Sequence, residues 1–164
     1  DTCTLKKQGD YMYLDYGLDF YAPQTFLDEY QQRTMFGWMR MRKPAKDENW
    51  CGMLTMPRVI INKNGHIYQQ VHPHIKRLFT KEAKIIDFNQ PFQLLTSLKE
   101  GEEISLGGLK LSIKNDCLYC DREKVSIVAD KVCNINHTPC LNGQYDLEIY
   151  YDPVSYTHLT LPTN

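Results

Sequence analysis

The sequence predicts an all-β protein, and three features of its 164 residues support that class. The chain is rich in aromatic side chains, with eleven Tyr, six Phe and two Trp. These rings alternate with Val, Ile and Thr, which is typical of strands because branched and aromatic side chains pack well on a pleated sheet. In the second half, turn signals recur roughly every 8–12 residues, a spacing typical of antiparallel sandwiches and barrels.

The first half of the chain contains short strand-like runs separated by turns. Residues 11–26 are dense in aromatics and are interrupted by a glycine and a proline, as expected where short strands meet at a bend. Residues 33–41 alternate in the manner of a buried strand, and the polar residues 42–49 predict a loop. The next strand is expected to begin at Trp50.

The clearest local signal is a hairpin over residues 58–71. Two runs of β-branched and aromatic side chains flank the dipeptide Asn64-Gly65. This dipeptide readily adopts the positive φ angles that a tight two-residue turn requires. The sequence therefore predicts two antiparallel strands joined at residues 64 and 65.

A change of pattern over residues 72–82 predicts the connection between two modules. The stretch contains Pro73 and is long enough for one or two helical turns, so a boundary is expected near residue 78. Beyond it the chain predicts a meander, with strands expected at 83–88, 92–98, 103–106, 109–113, 118–128 and 145–151.

Charge and hydropathy exclude several classes of function. Nineteen Lys and Arg stand against twenty Asp and Glu, and the formal net charge is −1. Without a basic excess there is no electrostatic footprint for nucleic acid or an anionic membrane. No apolar run approaches the roughly 18 residues that a membrane span requires. We therefore expect neither nucleic acid nor membrane as a partner.

Three clusters before residue 60 are more specific than composition. They are residues 15–26 (DYGLDFYAPQTF), residues 37–39 (GWM) and residues 50–58 (WCGMLTMPR). In order and spacing they resemble glycoside hydrolase family 32, the invertase, sucrose-6-phosphate hydrolase and fructanase family, in the last part of its propeller domain. The resemblance is strong over residues 14–73 and weaker as far as Asp152, where that family carries a C-terminal β-sandwich.

The resemblance implies the end of a five-bladed β-propeller followed by an incomplete antiparallel β-sandwich. Residues 1–78 would belong to the propeller and residues 79–152 to the sandwich, within which 119–122 and 147–152 look like two of the family's strands. Residues 153–164 depart abruptly from the family and resemble translated adapter DNA, so we expect a non-native tail. A divergent strand with alternating Thr and Leu is the alternative.

The implied activity is the retaining hydrolysis of β-fructofuranosides such as sucrose, sucrose-6-phosphate or fructans. Retaining enzymes use two carboxylates about 5–5.5 Å apart, one as nucleophile and one as acid. The family carries them in Asn-Asp-Pro-Asn-Gly and Glu-Cys motifs, with a stabilising Asp in Arg-Asp-Pro, and none of these three motifs occurs in the sequence. We expect a C-terminal fragment that lacks the catalytic residues and is inactive alone, with a small sugar as partner and no cofactor.

Four residues are candidates for contact with the sugar. Asp15 and Asp19 lie in the predicted bend, and Tyr21 and Trp38 are aromatics near it. An aromatic face can lie against a sugar ring, and a carboxylate can accept hydrogen bonds from hydroxyl groups. The alternatives are that the carboxylates stabilise a turn, since Asp near Gly often bonds its own backbone, and that the Trp side chain belongs to the core.

A second hypothesis comes from the six cysteines. Cys117, Cys120, Cys133 and His137 have a spacing close to that of a Cys₃His zinc site, which would suit a stand-alone β-sandwich module that binds carbohydrate or is stabilised by zinc. Against it, ligands three apart on one strand point to opposite faces. We therefore expect no bound metal. Disulfides would require an oxidising compartment, for which the sequence offers no argument, so we expect reduced cysteines in a cytoplasmic protein, with secretion as the alternative.

Overall fold

The computed structural model describes residues 4, 13–17, 19–40, 44, 49–122, 135–139, 144–152 and 158–160. Within these ranges the chain forms twelve β-strands and one four-residue helix. The all-β class predicted from the aromatic and β-branched pattern is confirmed.

The first five strands form one antiparallel sheet. They are β1 (Phe20–Leu27), β2 (Arg33–Met39), β3 (Met53–Leu54), β4 (Arg58–Lys63) and β5 (His66–Val71). Their order is β1-β2-β4-β5, and the short β3 pairs with the end of β2. Two side chains that meet in register, Met35 on β2 and Arg58 on β4, lie in the buried part of this sheet.

The predicted hairpin is confirmed as β4 and β5. Asn64 has φ 54° and Gly65 has φ 84°, so both central residues of the turn lie in the left-handed region. Two consecutive positive φ angles are typical of a type I′ turn, whose backbone twist matches that of the flanking strands. The side-chain carbonyl of Asn62 also accepts a hydrogen bond from the backbone N–H of Gly65, at 3.2 Å.

Strand β1 lies at the edge of the sheet and is irregular. Its register against β2 shifts between Tyr21 and Gln24, and Ala22 adopts φ 46°. Pro23 follows, and a strand proline is tolerated at edges and bulges because no partner needs its missing N–H. The bulge divides β1 into a short first segment and a longer second one.

The connection after β5 contains the helix α1 (Pro73–Lys76), which confirms the predicted helical turn. The strand predicted over residues 83–88 does not form. Ile85 is 84% exposed, and the carboxylate of Asp87 accepts a hydrogen bond from the backbone N–H of Asn89 at 2.9 Å. Among the described residues no strand pairs with this apolar run, and the local turn takes its place.

The rest of the described chain forms two smaller antiparallel sheets. The strands are β6 (Phe92–Lys99), β7 (Glu103–Leu106), β8 (Leu109–Lys114), β9 (Cys117–Asp121), β10 (Ile135–Pro139), β11 (Gln144–Tyr151) and β12 (His158–Thr160). One sheet has the order β10-β9-β8-β7 and the other the order β12-β11-β6. Side chains from both sheets share a core of Leu98, Leu106, Leu109, Leu111, Ile113, Leu118, Leu147 and Ile149.

Most of the strands predicted for this second half are present in the structure. The longest predicted strand, residues 118–128, includes residues after Arg122 that lie outside the described ranges. Strand β12 lies within residues 153–164 and pairs with β11. The boundaries at 78 and 152 and the non-native tail stay predictions. Over the described ranges, no helix has both the length and the apolar character to cross a membrane.

Candidate functional site

The bend before β1 is held by the carboxylate of Asp15. It accepts a hydrogen bond from the backbone N–H of Gly17 and forms an ion pair with Nη1 of Arg58, whose side chain is buried. The same Nη1 donates to Oε1 of Gln69 at 3.2 Å, and the amide of Gln69 donates to the carbonyl of Leu14. Asp15 therefore joins the bend to β4 and β5, which is a structural use of this carboxylate.

The ring of Phe20 fills the space between this ion pair and β2. The guanidinium carbon of Arg58 lies 5.2 Å from the centre of the ring. On β2, a Cβ atom at Gly37 would lie only 2.2 Å from the ring of Phe20. The position accepts only a glycine without movement of the ring, which gives a physical reason for the glycine in the Gly-Trp-Met cluster.

Asp19 is held from the second part of the chain. Its carboxylate forms an ion pair with Nη1 of Arg122, the residue that follows β9. Its carbonyl accepts a hydrogen bond from the backbone N–H of Arg40 at 2.9 Å, which extends the β1–β2 ladder by one residue. Asp19 thus lies where the five-stranded sheet meets the four-stranded sheet.

Tyr21 and Trp38 form an exposed aromatic pair beside Asp19. They are direct partners in the β1–β2 register, with ring centroids 6.2 Å apart and an edge-to-face arrangement. Tyr21 is 53% exposed and Trp38 is 38% exposed. The guanidinium carbon of Arg40 lies 5.1 Å from the centre of the Tyr21 ring.

A glycine also sets the position of the Trp38 ring. Gly52 has φ +88°, and a Cβ atom there would lie 2.2 Å from Nε1 of Trp38. The indole edge therefore packs against bare backbone, while 38% of the residue stays exposed to solvent. Exposed aromatic faces beside carboxylates and guanidinium groups are a surface suited to sugar rings and hydroxyl groups.

The structure thus brings Asp19, Tyr21 and Trp38 together at one end of the β1–β2 ladder, and we call these three residues the sugar corner. Asp15 is joined to it through Arg58 and Phe20. Sequence reasoning missed the arginine partners, although Arg58 and Arg122 both stood within quoted clusters. Contact of the four predicted residues with a sugar stays a prediction.

A second polar cluster closes the turn between β1 and β2 onto the start of α1. The carboxylate of Asp28 accepts from Nε2 of His72 at 3.0 Å and from the backbone N–H groups of Tyr30 and Gln32. The backbone N–H of His74 donates to Nδ1 of His72, which places the ring proton on Nε2. The hydrogen bond from His72 lowers the pKa of Asp28 below its ordinary value.

A third cluster joins α1 to the three-stranded sheet. The ammonium group of Lys76 lies 2.9 Å from Oε2 of Glu148, and the hydroxyl of Tyr150 donates to Oε1 of Glu148 at 2.7 Å. The side-chain amide of Gln93 donates to Oε1 of Glu148 at 2.7 Å and to the hydroxyl oxygen of Tyr150 at 2.9 Å. Burial, followed by the hydrogen bond to Glu148, raises the pKa of Tyr150. The ring of Phe79 packs edge-to-face on Tyr150 at 5.4 Å.

The candidate zinc ligands are only partly described. Cys117 and Cys120 lie three residues apart on β9, and burial raises the pKa of the Cys120 thiol to about 11. Cys133 lies outside the described residues, and His137 belongs to β10 at the position opposite Tyr119. In the part of the chain that the structure describes, no group of three His, Cys, Asp or Glu residues is arranged to hold a metal ion.

Comparison with known proteins identifies the family. The model of the glycosyl hydrolases family 32 N-terminal domain matches residues 1–71. The sucrose-6-phosphate hydrolase of Vibrio alginolyticus is 31% identical over 93% of this chain and 34% of its own length. The raffinose invertase of Escherichia coli is 38% identical over 45% of this chain and 16% of its own. The chain therefore spans about a third or less of the curated relatives it matches.

Solved structures show the same fold. A sucrose-6-phosphate hydrolase from Lactobacillus gasseri aligns with 84% of this chain and 33% of its own, with 22% identity and a TM-score of 0.63. The fructan 1-exohydrolase IIa of Cichorium intybus aligns with 89% of this chain and 38% of its own, with 15% identity and a TM-score of 0.55. With the family match and the sequence relatives, this likeness confirms the resemblance carried by the three clusters, and the chain belongs to glycoside hydrolase family 32.

Proposed function

We propose that this chain is the C-terminal part of a retaining β-fructofuranosidase, an enzyme that hydrolyses sucrose, sucrose-6-phosphate or fructans. The observation that carries the proposal is family membership combined with the sugar corner, an exposed aromatic pair beside an ion-paired carboxylate. The propeller part would be residues 1–78 and the sandwich part residues 79–152.

The chemistry of retention requires a nucleophilic carboxylate and an acid about 5–5.5 Å apart. Asp15 and Asp19 do not suit these roles, because each carboxylate is already paired with a guanidinium group. The family's three catalytic motifs are also absent from the sequence. We therefore assign catalysis to residues outside this chain and expect the chain alone to be inactive.

The role of this chain is to shape the sugar site. The exposed face of Trp38, supported by Tyr21, packs against a sugar ring, since the C–H face of a pyranose or furanose is apolar. Asp19 accepts hydrogen bonds from sugar hydroxyl groups with the oxygen that Arg122 leaves open. Asp15 contributes through the bend that it stabilises, on which Phe20 and the start of β1 are placed.

If sucrose-6-phosphate is the substrate, the enzyme works in the cytoplasm, because a charged sugar phosphate does not cross a lipid bilayer unaided. The relatives from Vibrio alginolyticus and Staphylococcus xylosus are both named sucrose-6-phosphate hydrolases. Neither nucleic acid nor a membrane is proposed as a partner, in keeping with the formal net charge of −1.

The test is hydrolysis by the full-length gene product, compared with the 164-residue chain. We expect the full-length protein to release fructose from sucrose or sucrose-6-phosphate, and the 164-residue chain to release none. Methanolysis followed by NMR should give the methyl β-fructofuranoside, the product of retention. A full-length protein without activity on any of the three substrates would refute the proposal, and an inverted product would refute the retaining mechanism.

A further inference from the structure

We propose that Arg122 is a positioning residue for the sugar corner, acting on Asp19 from the neighbouring sheet. The inference rests on the proposed function, because it takes the sugar corner as part of the site. It extends that function by making a residue of the sandwich part responsible for the geometry of the propeller part.

The first step is the contact itself. Nη1 of Arg122 forms an ion pair with Oδ2 of Asp19, across 103 positions of the sequence. The side chains are 21% and 31% exposed, so the pair is largely shielded from water. Charges shielded in this way interact more strongly than a surface pair, because solvent screens them less.

The second step is that a bulge separates the segment that Arg122 holds from the rest of β1. The register shift between Tyr21 and Gln24, with Ala22 at φ 46°, separates the first rungs of β1 from the rest of the strand. A bulge interrupts the ladder and bends the strand at that point. The direction of residues 19–21 is therefore not dictated by the remainder of β1.

The third step identifies the side-chain contacts that, together with the pairing of Phe20 and Tyr21 with β2, set the direction of residues 19–21. On one side, Phe20 packs between Gly37 and the guanidinium of Arg58, which Asp15 holds. On the other side, Arg122 holds the Asp19 carboxylate. Since the Asp19 carbonyl accepts from the backbone N–H of Arg40, a movement of Asp19 also moves the end of β2, next to Trp38.

The Nε atom of Arg122 gives a further reason to assign this side chain a positioning role rather than a stabilising one. Nε of Arg122 is buried and finds no hydrogen-bond partner among the described residues. An unpaired buried donor costs free energy, and a lysine would offer the same charge without it. The planar guanidinium reaches Asp19 in a fixed orientation, which a flexible ammonium does not provide.

The first experiment uses the 164-residue chain with Trp50→Phe, so that Trp38 is the only tryptophan left of the two. Acrylamide quenching then measures access to the Trp38 ring in Arg122→Gln, in Asp19→Asn and in the double variant. We expect either single change to raise the quenching constant and the second change to add little. The control is Lys110→Gln, which removes an exposed ion pair with Glu103 at 2.7 Å in the same four-stranded sheet and should leave quenching unchanged.

The second experiment uses the full-length enzyme. Arg122→Gln should raise KM for sucrose by about tenfold with kcat nearly unchanged, because misplaced binding groups weaken substrate binding. Arg122→Lys should recover part of the loss. Unchanged quenching in a folded Arg122→Gln chain would overturn the proposal, as would an unchanged KM. If Arg122→Gln does not fold, the quenching constant of Asp19→Asn decides, since that change breaks the same pair from the other side and quenching is measured without a sugar.

The two failures can be told apart. A full-length enzyme that hydrolyses no fructoside refutes the proposed function, while the quenching experiment still judges whether Arg122 positions the sugar corner.

Discussion

Gly37→Ala is the substitution whose effect follows most directly from the geometry. The new Cβ would lie 2.2 Å, 2.7 Å and 2.8 Å from three atoms of the Phe20 ring. Ordinary contacts between carbon atoms lie at about 3.5–4.0 Å, so the ring must move by more than about 1 Å. It cannot swing freely outward, because the Arg58 guanidinium, held by Asp15, lies 5.2 Å from the ring centre.

The expected loss of stability can be estimated from these distances. Overpacking of this kind costs about 1–3 kcal/mol, and replacing a strand glycine by alanine returns about 0.5–1 kcal/mol of backbone entropy. The net loss in the free energy of unfolding is therefore at most about 2.5 kcal/mol and about 1 kcal/mol at the middle of both ranges, and that middle value lowers Tm by about 2–4 °C for a chain of this size. Urea unfolding followed by tryptophan fluorescence, with a thermal melt beside it, measures both quantities.

The decisive control is rescue. Phe20→Leu in the Gly37→Ala background should recover most of the loss, because the shorter side chain removes the clash, and the double-mutant cycle isolates that coupling. Gly65→Ala is the comparison, since a Cβ there meets nothing within 4 Å and any loss of stability comes from its positive φ, so Phe20→Leu should not restore it. A Gly37→Ala chain as stable as the wild type, or one that Phe20→Leu fails to rescue, would refute the reasoning.

Three further predictions follow from the described contacts. Because the hydrogen bond from His72 lowers the pKa of Asp28 from the ordinary 3.8, its carboxylate stabilises the fold above that pH, and the stability is lost as the pH falls through the lowered pKa. Asp28→Asn should flatten this acid dependence of the urea midpoint, and an unchanged slope would contradict the role of the pair. Burial raises the pKa of the Cys120 thiol to about 11, whereas Cys51 is exposed. Maleimide labelling at pH 8 followed by mass spectrometry should therefore modify Cys51 well before Cys120, and equal rates would show that the four-stranded sheet does not protect the thiol. In the full-length enzyme, Trp38→Ala should raise KM for sucrose roughly fivefold, since an aromatic contact contributes about 1 kcal/mol; an unchanged KM would remove Trp38 from the sugar site.

Predictions from the sequence succeeded where short-range forces decide the structure. Asn64-Gly65 forms its turn because both residues tolerate positive φ, and Pro73 begins a helical turn because its fixed φ suits a first helical position. The strand expected over residues 83–88 failed for the opposite reason. Its pattern was adequate, but a strand requires a neighbour, and no strand in the described part of the chain pairs with Ile85 or Ile86, which are exposed.

In the candidate site, too, the sequence predicted the local features but not the contacts between distant residues. The residue clusters around Asp15, Asp19, Tyr21 and Trp38 were enough to suggest the family and a region for sugar binding. They could not tell which carboxylate bonds which cation, because the partners lie far apart in the chain.

The sequence by itself determined the all-β class, the hairpin and the family, because alternation, turn propensity and short motifs are local properties of a chain. Only the tertiary structure decided that Arg58 meets Asp15 across 43 positions and that Arg122 meets Asp19 across 103. The first pair forms because folding of one sheet brings the bend before β1 next to β4, and the second because the end of β9 in another sheet meets the start of β1. In both places charges partly shielded from water stabilise each other.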